Sequence, residues 1–221
     1  MPKQVDHANR RRLIAEAVCR LADERGLEGV TLRDVAARAQ VSMGAVQRCF
    51  RAKEEMLVFA LAHIGERIGE RVRARLVRSP AQSAGTRLGH AAAEVSLLQE
   101  DHRAEARVWL AFVAQAAVSE ALAATLKSNY AALQGVFAGL ITEATEAVNP
   151  AGNDDRAAAP VDAQREARAL LALADGLTTH VLIGHLAPRE AEDILHAHLE
   201  NLWERSGRET VRTTARGTDG P

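Results

Sequence analysis

Two short segments limit what this chain can become. Thr31 precedes Leu32, Val35 and Ala36, and Ser42 precedes Val46, Cys49 and Phe50. Serine and threonine favour helix N-caps, because their side-chain oxygens take up a backbone N–H that the first turn leaves unpaired. Each therefore predicts a helix start. Asp34, three residues after Thr31, forms a shortened capping box, and Val41 and Val46 bracket Ser42 as a hydrophobic staple. The first of these helices ends near Ala39, so Gln40-Val41 must turn the chain. Two capped short helices joined by a tight turn predict a helix-turn-helix. Val46, Cys49 and Phe50 would face inward, leaving Met43, Gly44, Gln47 and Arg48 outside.

The remainder reads as helix throughout. Leu13, Ile14, Ala17, Val18, Leu21 and Ala22 recur on one face of a helix over 9–25, with Gly26 as its stop and Arg10, Arg11 and Arg12 near its start. From Lys53, a long helix carries Leu57, Leu61, Ile64, Ile68, Val72 and Leu76 and ends at Ser79-Pro80. Its length would be roughly 35–40 Å. Further helices are expected over about 83–99, 101–117, 119–148, 161–186 and 188–205. Asn149 to Asp162 reads as a loop. Aromatic residues make up 3% of the chain and β-branched residues are sparse beside Ala and Leu, which disfavours strands. The expected architecture is all-α with about nine helices. Residues 1–52 are expected to form a three-helix head carrying the helix-turn-helix, and 53–205 a helical body. Residues 206–221 form a disordered tail.

Charge divides along the same line. The net charge of -1 hides +5 over residues 1–53 and -6 over 54–221. A basic head on an acidic body suggests that the head meets a polyanion. No run approaches the roughly 20 apolar residues of a membrane span, and no apolar signal core opens the chain, so a cytoplasmic protein without a membrane partner is expected. Cys19 and Cys49 make no disulfide framework; each is either a redox sensor or a small buried side chain.

The stretch GVTLRDVAARAQVSMGAVQRCFRAKEEML, from Gly29 to Leu57, resembles the DNA-binding domain of TetR-family repressors. The resemblance lies in the Thr31 cap, Val35-Ala36, Val41-Ser42, the Gly44-Ala45-Val46 step, Phe50 and Lys53-Glu54. From about Arg107 to Trp203, RVWLAFVAQAAVSEALAATL and LLALADGLTTHVLIGHL look like the C-terminal domain of the BetI-like branch. The resemblance implies a repressor that binds a palindromic operator as a homodimer and is released by a small-molecule effector, with residues 1–52 as the DNA-binding domain and 53–205 as the ligand-binding and dimerisation domain. A ligand-dependent activator would use the same head. In the family, glycine usually stands where this chain has Gln40, and tyrosines are common at Gln47 and Cys49. These departures leave open a member with weakened DNA binding.

A helix-turn-helix lays its second helix in the major groove. The expected base-facing residues are Met43, Gly44, Ala45, Gln47 and Arg48. Ala45 suits a thymine methyl, Gln47 an adenine edge, and Arg48 a guanine or a phosphate. Thr31 and Ser42 offer hydroxyls and N–H groups to phosphates. The resemblance adds Arg33 and Lys53 as DNA contacts.

The resemblance also implies that the last two helices pair across a dimer, through Leu171, Val181, Leu182, Leu186, Ile194, Leu195, His198, Leu202 and Trp203. Ligand candidates are Trp109 and Phe112, three apart on one helix, Tyr130 and Phe137, seven apart on the next, and the polar Asp175 and His180. Trp109 with an acidic neighbour suits a cation, and the BetI-like branch is associated with choline-type ligands. Each of these residues is otherwise ordinary core.

An enzyme is the remaining class. A helical bundle can hold metals through Glu-x-x-His pairs. Among the eight histidines, His196 and His198 are two apart and diverge on a helix, and none pairs at i,i+4. No Gly-rich phosphate loop, nucleophile elbow or zinc spacing is present. No catalytic role, metal or cofactor is expected.

Overall fold

The computed structural model describes residues 2–78, 83–148 and 161–215. Among these are nine α-helices: α1 (Pro2–Arg25), α2 (Leu32–Arg38), α3 (Met43–Cys49), α4 (Lys53–Val77), α5 (Ala84–Val95), α6 (Arg103–Ala116), α7 (Glu120–Val148), α8 (Ala163–Leu182) and α9 (Pro188–Ala215). One 3-10 turn, Glu100–His102, leads into α6. No strand occurs among the described residues. The helices group into two compact units. The first holds residues 1–70 and 99–131, and the second 71–98 and 132–221.

In the first unit, α1 packs against α2, α3 and α6. Ile14, Val18, Leu21, Val35, Val46, Phe50, Leu61, Ile64 and Phe112 are buried there. Charged pairs tie the same helices at the surface. Arg38 on α2 grips the Glu24 carboxylate of α1 with two bonds, at 2.6 and 2.8 Å. The Arg107 Nε of α6 reaches Asp23 at 2.6 Å. Helix α1 begins earlier than the expected residue 9. Only Pro2 interrupts the helix-compatible residues before it, and proline is tolerated in a first turn.

In the second unit, α5, α8 and α9 pack pairwise around Leu88, Leu170, Ala174, Leu177, Leu195, Leu199 and Leu202. One α5 glycine allows a close approach: a Cβ at Gly85 would meet the Trp203 ring at 3.3 Å. The buried Thr178 hydroxyl of α8 donates to the Ser96 carbonyl at the end of α5, sharing its proton with the Ala174 carbonyl.

Helix ends account for the differences from the expected spans. Helix α5 stops at Val95 instead of 99, because Leu97 turns left-handed at φ 50°. Burial of the Leu97 side chain offsets that strained backbone. Helix α8 stops at Leu182 instead of 186. Gly184, at φ 74°, lets the His185 and Gly184 N–H groups fold back to the His180 and Val181 carbonyls, a Schellman motif. Pro188 then opens α9, and the Glu190 carboxylate accepts from the Ala187 N–H at 2.7 Å. Helix α9 continues to Ala215, past Ser206, where composition predicts disorder. Arg, Glu and Thr can extend a helix once the preceding turns are formed. Residues 216–221, and most of the predicted loop at 149–162, lie outside the described residues.

Candidate nucleic-acid interface

Local chemistry holds both ends of α3. Before it, Gln40 adopts φ 56°, the left-handed conformation usually reserved for glycine. This lets the Gln40 N–H reach the Ala37 carbonyl at 3.2 Å and the Val41 N–H reach the Ala36 carbonyl at 3.0 Å. The turn of the helix-turn-helix is thus a Schellman motif with glutamine in the glycine place. A left-handed β-carbon costs about 1–2 kcal/mol, so this turn stores strain. Ser42 then caps α3, its Oγ accepting from the Ala45 N–H at 3.1 Å. After α3, Phe50 returns to extended backbone and is buried. The Glu55 carboxylate accepts from the Arg51 N–H at 2.8 Å and fixes the turn into α4.

The outward face of α3 is Met43, Gly44, Gln47 and Arg48. Gly44 is half-buried and the others are exposed. A Cβ on Gly44 would touch only the Arg48 guanidinium, at 3.5 Å. Arg48 therefore lies back along the helix, and no other part of the protein requires a glycine here. Ala45 is a correction. It is 6% exposed and packs inward beside Val46 and Cys49, because position 45 shares the inner face with 49. It is a packing residue, and its assignment to a thymine methyl is withdrawn.

The supporting polar groups flank this face. The Thr31 Oγ1 accepts from the Asp34 N–H at 3.1 Å and donates to the Asp34 carboxylate at 2.8 Å. Its hydroxyl is therefore engaged locally, and an acidic group stands beside it. Arg33 is exposed on α2. The Lys53 ammonium donates to the Glu28 carbonyl at 3.3 Å, which draws the start of α4 toward the loop leading into α2. Sequence reading missed Arg51, an exposed cation in the same turn as Lys53. Its position directly after the predicted helix was the available signal.

The other predicted residues scatter. Trp109 and Tyr130 meet edge to face in the first unit, with centroids 5.8 Å apart. Phe112 in the first unit and Phe137 in the second are both fully buried. They are core, with no surface left for a ligand, so their pocket assignment is corrected. Asp175 is half-buried, and the exposed His180 ring lies 4.9 Å from His185 in the second unit. Of the predicted dimer residues, Leu171, Val181, Leu195 and Leu202 are buried within the protomer. A side chain already removed from water gains little from a partner, so these four are corrected to the protomer core. Ile194 is exposed, and Leu182, Leu186, His198 and Trp203 are half-exposed. Ile183, missed in the sequence, is 71% exposed beside Gly184. Burial pushes the Cys19 thiol up to about 12, against the pull of Arg67, and Cys49 is buried. Cys19 therefore lacks the thiolate character of a redox sensor.

Residues 14–58 match the family described as bacterial regulatory proteins, tetR family, and residues 84–204 match the BetI-type transcriptional repressor C-terminal domain. The chain belongs to the TetR family of transcriptional regulators. Two relatives match it over most of its length. The HTH-type transcriptional regulator PksA of Bacillus subtilis is 29% identical over 96% of this chain and 98% of its own. The HTH-type regulator BetI of Burkholderia thailandensis is 32% identical over 80% of this chain and 84% of its own. A transcriptional regulator of Rhodococcus sp. Rha1 superimposes with a TM-score of 0.75 at 27% identity, covering 89% of this chain and 97% of that one. No helix among the described residues is long and apolar enough to cross a membrane, and no group of three or more candidate metal ligands occurs there.

Proposed function

We propose that this TetR-family regulator is a repressor that binds a palindromic operator as a homodimer and leaves it when a small molecule binds. Residues 1–52 read DNA, and residues 53–205 carry the dimer and effector functions. The carrying observation is the outer face of α3, which presents Met43, Gly44, Gln47 and Arg48 between two fixed helix ends. Arg48 and Gln47 suit base edges, and Gly44 permits close approach of the backbone. Ser42, Arg33, Lys53 and Arg51 supply N–H groups and positive charge for phosphates. Thr31 contributes chiefly through its backbone, since its hydroxyl is bonded to Asp34.

One such head reads only a few base pairs, and two-fold pairing doubles the contacts. The exposed Ile183 and Ile194 and the half-exposed Leu182, Leu186, His198 and Trp203 form the proposed pairing surface. For the effector, the half-buried Tyr130 keeps its candidacy in the first unit and Asp175 and His180 keep theirs in the second, while Trp109, 5% exposed, is corrected to the core of the first unit. The effector must favour a conformation whose heads no longer match the operator spacing. Helix α4 provides covalent continuity between the two units, since its residues belong to both.

Arg48→Ala is expected to weaken binding to a duplex selected by the wild-type protein by about 1–3 kcal/mol, with folding stability nearly unchanged. Gel-shift titration with a parallel thermal melt checks it. Full affinity in this variant would remove Arg48 from the contact set.

A further inference from the structure

Arg11 is one of three consecutive arginines partway along α1, and the interface described above does not use it. Its guanidinium carbon lies 4.6 Å from the Phe50 ring centroid and 4.4 Å from that of Phe59. The two rings are 5.5 Å apart and inclined by 53°, so the guanidinium fills the wedge between them. Phe50 caps the end of α3 and Phe59 sits on α4. One side chain of α1 therefore touches the exit of α3 and the first turns of α4 at once.

The polar surroundings point the same way. Arg11 Nη2 lies 4.0 Å from Glu55, whose other oxygen holds the Arg51 N–H. Arg11 Nε is sealed from water with no hydrogen-bond partner. The half-buried guanidinium is thus held between ring faces, with the exposed Glu55 carboxylate at its edge. A planar cation suits this wedge, whereas an ammonium is a compact point charge that cannot lie flat on two rings.

We infer that Arg11 is a positioning residue for DNA recognition: it clamps the end of α3 against α4 and so sets the angle at which α3 meets the groove. This rests on the proposal that α3 reads DNA. Arg11 works through Phe50 and Phe59 and makes no phosphate contact of its own.

The test compares Arg11→Lys and Arg11→Met with wild type. The probes are a duplex selected by the wild-type protein from a random pool and a random-sequence duplex of equal length. Measurements are made well below the thermal midpoint of each variant. Both variants are expected to lose at least tenfold in affinity for the selected duplex. Both should retain random-duplex affinity within about twofold, and the slope of log affinity against log salt on random duplex should stay at the wild-type value. If Arg11 instead held a phosphate, Arg11→Lys would be close to wild type on both duplexes. Arg11→Met would then weaken both and reduce the salt slope by about 1. That pattern overturns the clamp, as does wild-type behaviour of both variants on the selected duplex. A wild-type protein that enriches no sequence at all would defeat the DNA-reading proposal itself, a separate result from either variant outcome.

Discussion

Phe112→Ala is expected to lower the free energy of unfolding by about 3–5 kcal/mol. Phe112 lies in α6 within the first unit and has no exposed surface. Removing its ring takes away the transfer free energy of the side chain and leaves a cavity that neighbouring helices fill only in part. The alternative view, in which Phe112 lines an effector pocket, makes the opposite prediction. A pocket residue already faces ligand space, so its truncation would cost little stability and mainly alter ligand affinity. Urea unfolding monitored at 222 nm separates the two. A loss below about 1 kcal/mol would return Phe112 to the pocket. Because the chain forms two compact units, the transition should be checked for a second phase before one free energy is assigned.

The second large effect concerns α4 and α7. A Cβ added at Gly65 would lie 2.3 Å from Asn129 Nδ2, 2.5 Å from its Cγ and 2.8 Å from its Oδ1. These distances exclude an alanine while Asn129 keeps its place. The Asn129 amide is aimed at the Leu61 carbonyl at 3.5 Å, one turn before Gly65. Gly65→Ala must therefore displace a half-buried amide, at a cost of about 1–3 kcal/mol. Helix propensity opposes this by roughly 1 kcal/mol, since alanine is the better helix former. The clash is expected to match or outweigh that gain, leaving a net loss of about 0–2 kcal/mol. With Asn129→Ala added, the space opens and the propensity gain remains, so the double variant should regain wild-type stability or exceed it. The two changes should couple by at least 1 kcal/mol in a double-mutant cycle. Additive effects would mean that Asn129 does not occupy the Gly65 face. Both residues lie in the first unit, so the cycle reports on how α4 is held there.

How much of this was legible beforehand depends on the kind of signal. Caps and turns were readable because their chemistry is local. Thr31, Ser42, Gly26 and Pro188 each mark a helix end from side-chain or backbone geometry that neighbours within four residues supply. Gln40 stands in a glycine place, and it adopts the left-handed backbone that this place requires. The left-handed Leu97 was not legible. Leucine has no intrinsic preference for that conformation, and only the burial of its side chain among distant residues sustains it. Residue faces on α3 were nearly right, with Ala45 as the exception. Ala45 lies one turn before the inward-facing Cys49, so helical spacing itself places it on the inner face.

The body was harder to read. Trp109 and Phe112, like Leu171 and Leu195, have the same spacing whether they serve core, pocket or interface. Periodicity reports only that a face is apolar, and what covers that face is a long-range property. The Arg11 wedge was hidden for the same reason. Arg11 is 39 residues from Phe50 and looks like any solvated arginine in a basic run.

The central claim is that the outer face of α3 reads DNA in two symmetric copies, and enrichment of bound duplexes from a random pool tests it most directly. The expected product is an inverted repeat whose half-sites lie about one helical turn, roughly 34–36 Å, or a multiple of it apart. Its affinity should fall steeply with added salt. A pool that stays random, or a single unrepeated site bound by one copy of the chain, would contradict it.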